Sequence, residues 1–201
     1  MSVLVLATRN RKKEQELKDL LGDSGWEVRS LVEMPGVPEI IEDGQTFLDN
    51  ARKKAIHVSL ATHCMALADD SGLAVEALGG APGVYSARYA VLKGRPVSDQ
   101  ENCDCVLREL EGVPEGKRKA RFICAAVIAR EGKVVFETEH AVEGVITREP
   151  RGSGGFGYDP IFMYPPFGAT FGEMPREWKH SVSHRSKALA AVWRFLREYT
   201  T

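Results

Sequence analysis

Four clusters of residue types along the 201-residue chain have the composition for chemistry. The first is Thr8, Asn10 and Lys13, where the apolar run Val3 to Ala7 gives way to a helical pattern. Backbone N–H groups at a helix N-terminus, together with the helix dipole, favour an anion, and phosphate is a natural one. Arg9, Arg11 and Lys12 add charge, part of which an ordinary solvated first turn would explain. Basic residues in that position cost about 0.3–1 kcal/mol each, which a bound anion would offset.

The second cluster is Asp69-Asp70-Ser71-Gly72, with Glu39, Glu42 and Asp43 upstream. The apolar strand Met65 to Ala68 runs into it, so the carboxylates are expected at a strand end. Consecutive strand residues point to opposite faces, so one of Asp69 and Asp70 serves a site while the other caps or turns. Hard carboxylate oxygens suit Mg²⁺ bridging to phosphate, and one carboxylate can orient an attacking water. Taken alone, the same four residues also read as a solvated turn.

The third is Gly152-Ser153-Gly154-Gly155-Phe156-Gly157-Tyr158-Asp159-Pro160. Three of its glycines satisfy G-x-G-x-x-G, but the stretch follows Pro150-Arg151 and ends in Asp159-Pro160 instead of opening a helix, which excludes a dinucleotide fingerprint. Glycines interleaved with Phe156 and Tyr158 let backbone approach a planar ligand while a ring stacks on it, a contact worth about 1–3 kcal/mol per base. A flexible surface loop is the alternative. Gly112 to Lys117 has the wrong spacing for a P-loop.

The fourth is Lys179, Ser183, His184 and Arg185, before and at the start of the last helical pattern. His180 and His184 share i, i+4 spacing, yet no third ligand stands nearby for zinc. Lys179 and Arg185 read as donors to carbonyl or phosphate oxygens.

The elements that must position these clusters follow from periodicity and capping. Val3 to Ala7 and Trp26 to Leu31 read as strands around a helix carrying Leu17, Leu20 and Leu21 that closes near Gly22 or Gly25. Thr46 caps a helix with Phe47, Ala51, Ala55 and Val58, and Ser98 with Glu101 forms a capping box for another. Ala120 to Ala129 is a strand buried on both faces, joined through Arg130-Glu131-Gly132-Lys133 to Val134 to Thr147. Tyr164 to Arg176 reads mostly as loop, and a last helix from Ser183 buries Leu189, Val192, Trp193 and Leu196. The whole predicts one domain, residues 1–201, with two lobes on a mixed α/β sheet flanked by helices.

Composition bounds the partners. A net charge of −1, from 27 Lys+Arg against 28 Asp+Glu, provides no global field for nucleic acid or an anionic membrane. The four cysteines lack C-x-x-C spacing and read as reduced thiols. A short apolar run followed by positive charge reverses the order of a secretory signal, and no stretch approaches the length of a membrane span, so a cytoplasmic protein is expected.

In order and spacing the motifs resemble the inosine triphosphate pyrophosphatase family over the length of the chain. The resemblance is carried by Leu6-Ala7-Thr8-x-Asn10-x-x-Lys13, Glu42-Asp43-Gly44-x-Thr46-Phe47-x-x-Asn50-Ala51, and Ala68-Asp69-Asp70-Ser71-Gly72-Leu73. It continues through Gly79-Gly80-Ala81-Pro82-Gly83-Val84-Tyr85-Ser86-Ala87-Arg88-Tyr89, then Gly154 to Phe162, and Ser183-His184-Arg185. It implies hydrolysis of ITP, dITP and XTP to the monophosphate and pyrophosphate with Mg²⁺. It also implies a two-lobed fold with a central cleft, and a homodimer. By position Thr8, Asn10, Lys13 and Lys54 would hold the triphosphate. Glu42 and Asp70 would serve the metal, Asp70 would also be the general base, and Ser71 would contact substrate. Phe156 would stack on the purine, Gly157, Tyr158 and Asp159 would shape its pocket, and Lys179, His184 and Arg185 would read the base edge. Arg9 departs from the pattern, where a small residue is more usual, and is expected to contact phosphate or point to solvent.

A 6-oxo purine offers an acceptor where adenine offers a donor, so buried donors such as Arg185 and backbone N–H groups would pair with hypoxanthine or xanthine and be left unpaired by adenine. Two other readings remain at this point, a pyrophosphatase for another modified nucleotide and a non-catalytic nucleotide sensor.

Overall fold

The computed structural model describes residues 2–22 and 24–199. Strand β1 (Val3–Leu6) leads through helix α1 (Arg11–Leu21) to β2 (Glu27–Ser30), and helix α2 (Phe47–Thr62) leads to β3 (Met65–Val75). After two 3₁₀ turns come the short helix α3 (Tyr89–Leu92) and α4 (Asp99–Glu109). The long strands β4 (Lys119–Arg130) and β5 (Lys133–Ile146) follow, then β6 (Phe162–Tyr164), β7 (Ala169–Thr170), α5 (Arg176–Val182) and α6 (His184–Tyr199). The strands form one seven-stranded sheet in the order β2-β1-β3-β4-β5-β6-β7. β1 pairs parallel with β2 and β3, whereas β5 with β6 and β6 with β7 are antiparallel, so the sheet is mixed as expected.

The chain divides into two compact units, one made of Met1–Asp70, Cys124–His140 and Arg185–Thr201, the other of Ser71–Ile123 and Ala141–His184. Each has its own core. In the first, Leu4 and Leu6 of β1, Leu67 of β3 and Ile128 of β4 pack with Leu17 and Leu21 of α1 and Leu189, Val192 and Leu196 of α6. In the second, Leu73, Phe122, Ile146, Phe162 and Phe171 pack with Val106 and Leu110.

Helix α1 closes at Gly22, as read, and Asn10, read as an anion ligand, is also its N-cap, accepting from the Lys12 and Lys13 N–H groups. Thr46 accepts from Asp49 N–H at the start of α2. Glu131 and Gly132, both at positive φ, make the tight turn between β4 and β5, the backbone that a two-residue hairpin demands. Ser98 accepts from Glu101 N–H, but the Glu101 carboxylate pairs with Arg95, so only half of the capping box forms.

The structure corrects the course of β3, the placement of His180 and His184, and the burial of Trp193. β3 does not end at Ala68; it runs through Asp69-Asp70-Ser71-Gly72 to Val75, so the acidic pair lies in mid-strand and the turn reading is excluded. Buried cations compensate the carboxylates there, which lets the ladder continue. Tyr164 to Arg176 is mostly turn and 3₁₀ backbone, as expected, but within it β7 pairs with β6 as a hairpin, with Tyr164 and Phe167 packed edge to face. The last helix, α6, starts directly after Ser183, as expected, and Ser183 in extended backbone separates it from α5, which was not foreseen. His180 and His184 therefore stand on different helices, not on one face at i, i+4. Trp193 is half-buried, while Ala188 joins Leu189, Val192 and Leu196 in the core.

The four cysteines are free thiols. Among the described residues no helix is long and apolar enough to cross a membrane.

Candidate active site

In the first unit, two ionic groups gather on Asp69 and Asp70, whose side chains leave opposite faces of β3. Asp69, 3% exposed, accepts from both Nε and Nη2 of Arg185 at 3.2 Å and lies 3.3 Å from Lys13 Nζ. The remaining guanidinium edge of Arg185 donates to Glu16 on α1. All but Lys13 are nearly inaccessible. Burial alone would raise the Asp69 carboxyl, but the charges of Lys13, Arg185 and Lys54 override it and hold it well below the usual carboxylate range.

Asp70 faces α2. The inward face of that helix buries Phe47, Asn50, Ala51, Lys54, Ala55, Val58 and Ser59, and at i, i+4 it delivers two polar side chains to one carboxylate. Lys54 Nζ donates to Asp70 Oδ1 at 3.0 Å, and Asn50 Nδ2 donates to Oδ2 at 3.2 Å. The same ammonium donates to Glu42 Oε1 at 2.8 Å and to the Asp69 carbonyl at 2.7 Å, so Glu42 and Asp70 converge on one point. Burial raises the Asp70 carboxyl, an effect to which Glu42 adds and which Lys54 and Lys13 only partly offset. For Lys54, burial opposes the charge, but Asp70, Glu42 and Asp69 outweigh it and keep the ammonium firmly protonated. Asn50 is itself fixed by Gly44, whose N–H it accepts at 2.7 Å. A Cβ on Gly44 would stand 2.6 Å from Asn50 Oδ1, so only glycine permits this approach.

The loop residues Thr8 and Asn10 are engaged locally: Thr8 Oγ1 accepts from Asn10 N–H, and Asn10 Oδ1 takes the N–H groups of Lys12 and Lys13. Arg9 is exposed, one of its two expected placements, and its guanidinium also donates to the carbonyls of Leu31 and Val37 in an irregular segment.

In the second unit the glycine-dense stretch is a built loop. Asp159, 2% exposed, accepts from Phe156 N–H at 2.8 Å and from Lys179 Nζ at 2.7 Å. The Lys179 ammonium sits 5.0 Å from the centroid of the half-buried Phe156 ring. Gly155, at φ +71°, makes room for this arrangement, since a Cβ there would meet Asp159 Oδ2 at 1.9 Å. Tyr158 OH donates to the Ser86 carbonyl at 2.8 Å. His184 is buried and stacks on Phe122 with ring centroids 4.8 Å apart. Ser71 is the first residue of this unit, next in β3 to Asp70.

Each sequence-predicted residue thus falls in one of two places: Thr8, Asn10, Lys13, Glu42, Lys54, Asp70 and Arg185 in the first unit, and Ser71, Phe156, Gly157, Tyr158, Asp159, Lys179 and His184 in the second. One role changes. Arg185 was expected as a donor to a base edge, and its guanidinium is committed to Asp69 and Glu16 at 2% exposure. The Phe156 and Gly157 N–H groups donate to Asp159 and Asp99. Asn50 and Glu16 were not singled out; their signal was a polar residue on the buried face of an amphipathic helix.

The fold is a mixed, open α/β sheet, with paired carboxylates buried against lysines in the first unit and, in the second, an aromatic on a glycine-dense loop beside Lys179 of α5. Residues 4–195 match the Ham1 family, and the chain belongs to it. It is 50% identical over 192 residues to the dITP/XTP pyrophosphatase of Shouchella clausii, covering 96% of this chain and 95% of that protein. It is 51% identical over 193 residues to the dITP/XTP pyrophosphatase of Desulforamulus reducens, covering 96% and 94%. The solved structure of a HAM1 protein from Coxiella burnetii superposes with a TM-score of 0.88 at 40% identity, covering 98% of this chain and all (100%) of that one.

Proposed function

We propose that the chain is a nucleoside-triphosphate pyrophosphatase that hydrolyses dITP, XTP and ITP to the monophosphate and pyrophosphate, clearing deaminated purines from the nucleotide pool. The observation that carries this reading is the convergence of Glu42 and Asp70 on Lys54. It is supported by the Ham1 membership and by two relatives at about half identity that bear the name dITP/XTP pyrophosphatase.

Among the described residues no group of three or more His, Cys, Asp or Glu side chains is placed to hold a metal ion. Mg²⁺ asks for less, because it keeps several waters and is bound through one or two carboxylates plus substrate phosphate. Glu42 and Asp70 fit that donor set, and two carboxylates against the single Lys54 ammonium leave one formal negative charge to attract a cation. Bound there, Mg²⁺ would supply neutralisation of the charge on the transferring phosphorus.

The chain's own residues do the rest. Asp70 is the general base: a carboxylate has about four lone-pair positions, so contacts to Lys54 and Asn50 leave room to accept a proton from the attacking water. Lys54 and Asn50 fix its orientation, and Ser71 beside it contacts substrate. Thr8, Asn10 and Lys13 take the triphosphate, with Lys54 exchanging one of its donations for a phosphate oxygen. Phe156 stacks on the purine, with Gly157, Tyr158 and Asp159 shaping its surroundings. Lys179 is the donor to the 6-oxo group, with His184 at the same pocket, and Arg185 acts through Asp69. The protein is read as a cytoplasmic homodimer, acting on a free nucleotide and not on nucleic acid or a membrane. Light scattering checks the dimer.

Two results are expected. EDTA abolishes pyrophosphate release and added Mg²⁺ restores it; release that persists without a divalent ion would remove Glu42 and Asp70 from metal binding. Phe156→Ala raises the KM for dITP about 5- to 100-fold through lost stacking, and an unchanged KM would show that this loop does not take the base.

A further inference from the structure

Helix α4 belongs to none of the groups assigned above, yet it holds both backbone polar groups of one residue in the Phe156 loop. The Gly157 N–H donates to Asp99 Oδ2 at 2.9 Å, and the Gly157 carbonyl accepts from Cys103 Sγ at 3.4 Å. Asp99 and Cys103 stand one helical turn apart, at i, i+4, on the same face of α4. Residues 151–155 are exposed and Phe156 and Gly157 are half-buried, and backbone bonds from Arg151 to Pro160 and from Gly154 to Gly172 hold the start of the glycine-dense stretch. The contacts at its aromatic end include the internal Asp159 contact, the Tyr158 hydroxyl on Ser86, and α4.

We infer that Asp99, with Cys103 one turn on, is a positioning residue for substrate selection, clamping the Gly157 peptide so that the Phe156 ring presents a fixed face to the purine. This rests on the reading of the Phe156 loop as the base pocket. The chemistry of each clamp matches its target. Asp99 is the first residue of α4, and its carboxylate oxygen accepts, as the N–H requires. Cys103 is buried, which pushes its thiol up to about 12, so it remains an S–H donor, as the carbonyl requires. A charge-assisted bond from a rigid helix to the residue next to the stacking ring restricts that ring before substrate arrives. Restriction of this kind raises affinity by lowering the entropy lost on binding.

The test compares Asp99→Ala, Asp99→Asn, Cys103→Val and Phe156→Ala in one assay. It reads kcat and KM for dITP, the inhibition constant of inorganic tripolyphosphate as a probe of the phosphate end alone, and Tm. Asp99→Ala is expected to raise the dITP KM about tenfold, the usual weight of a hydrogen bond to a charged group, with kcat within about twofold and tripolyphosphate inhibition unchanged. Asp99→Asn keeps an acceptor and restores KM to within about threefold of the parent, and Cys103→Val raises KM less than Asp99→Ala does. If Asp99→Ala loses the fold, the Asn and Val variants carry the comparison. A normal KM in Asp99→Ala beside a raised one in Phe156→Ala overturns the clamp alone. Equal KM increases in the Ala and Asn variants, tracking a fall in Tm, overturn it in favour of a structural role. A normal KM in Phe156→Ala overturns the base-pocket reading itself.

Discussion

Asp70→Asn is expected to reduce turnover about 10²–10⁴-fold while leaving nucleotide binding largely intact. The substitution preserves shape in a position that is 7% exposed, so packing changes little. The amide oxygen can still accept from Lys54, the amide NH2 no longer accepts from Asn50, and on the proposed mechanism what disappears is the negative charge and the basic lone pair that would take the proton of water. In the parent, burial and the neighbouring Glu42 raise Asp70 above the ordinary carboxylate value, which makes it a better base than an exposed aspartate, and Lys54 keeps it ionised. A mere binder has no use for that arrangement, so the variant also separates an enzyme from a nucleotide sensor. Near-normal pyrophosphate release in Asp70→Asn would exclude Asp70 as the base, and loss of binding with turnover would make its role positioning of the phosphate.

The second large effect concerns the other face of β3. Arg185→Met is expected to destabilise the fold by about 3–5 kcal/mol, because it removes from the buried Asp69 and Glu16 the cation that bridges them. Denaturant unfolding measures it. The pH dependence has a definite sign. Asp69 is depressed below its ordinary value of 3.8, so its pairing contributes stability that is present above that value and fades as pH falls through the depressed one. The gap between parent and Arg185→Met should therefore be widest near neutrality and shrink in acid. A gap of less than about 1 kcal/mol at neutral pH would mean the cluster behaves like a surface ion pair.

What the sequence disclosed and what it hid divide along one physical line. Caps, turns and apolar periodicity act within a few residues, so the Gly22 stop of α1, the Thr46 cap, the Glu131-Gly132 turn and the buried run of β4 were legible. The course of β3 was not, because Asp-Asp-Ser-Gly carries the local signature of a turn while the charges that keep it in a strand come from Lys54 and Arg185, 16 and 116 residues away in sequence. The backbone contacts of Arg9 were hidden for the same reason, since its carbonyl acceptors lie 22 and 28 residues on. The β6–β7 hairpin was obscured by Pro165 and Pro166, which read as loop and in the structure form the 3₁₀ turn between the two strands. At the site, residue types and motif order pointed to the carboxylates and to the aromatic loop. Contacts alone revealed that Asn50 steadies Asp70, that Glu16 completes the Arg185 cluster, and that Asp99 reaches the loop from α4.

The central claim is hydrolysis with preference for deaminated purines. The most direct measurement is kcat/KM for dITP, XTP, dATP, dGTP and dTTP, with the released product identified as pyrophosphate or orthophosphate. The account predicts pyrophosphate, with dITP and XTP turned over at least about 10²-fold more efficiently than dATP and dTTP, since a donor aimed at a 6-oxo group is left unpaired by the adenine amino group. Equal efficiency on all five nucleotides, or orthophosphate as the product, would contradict it.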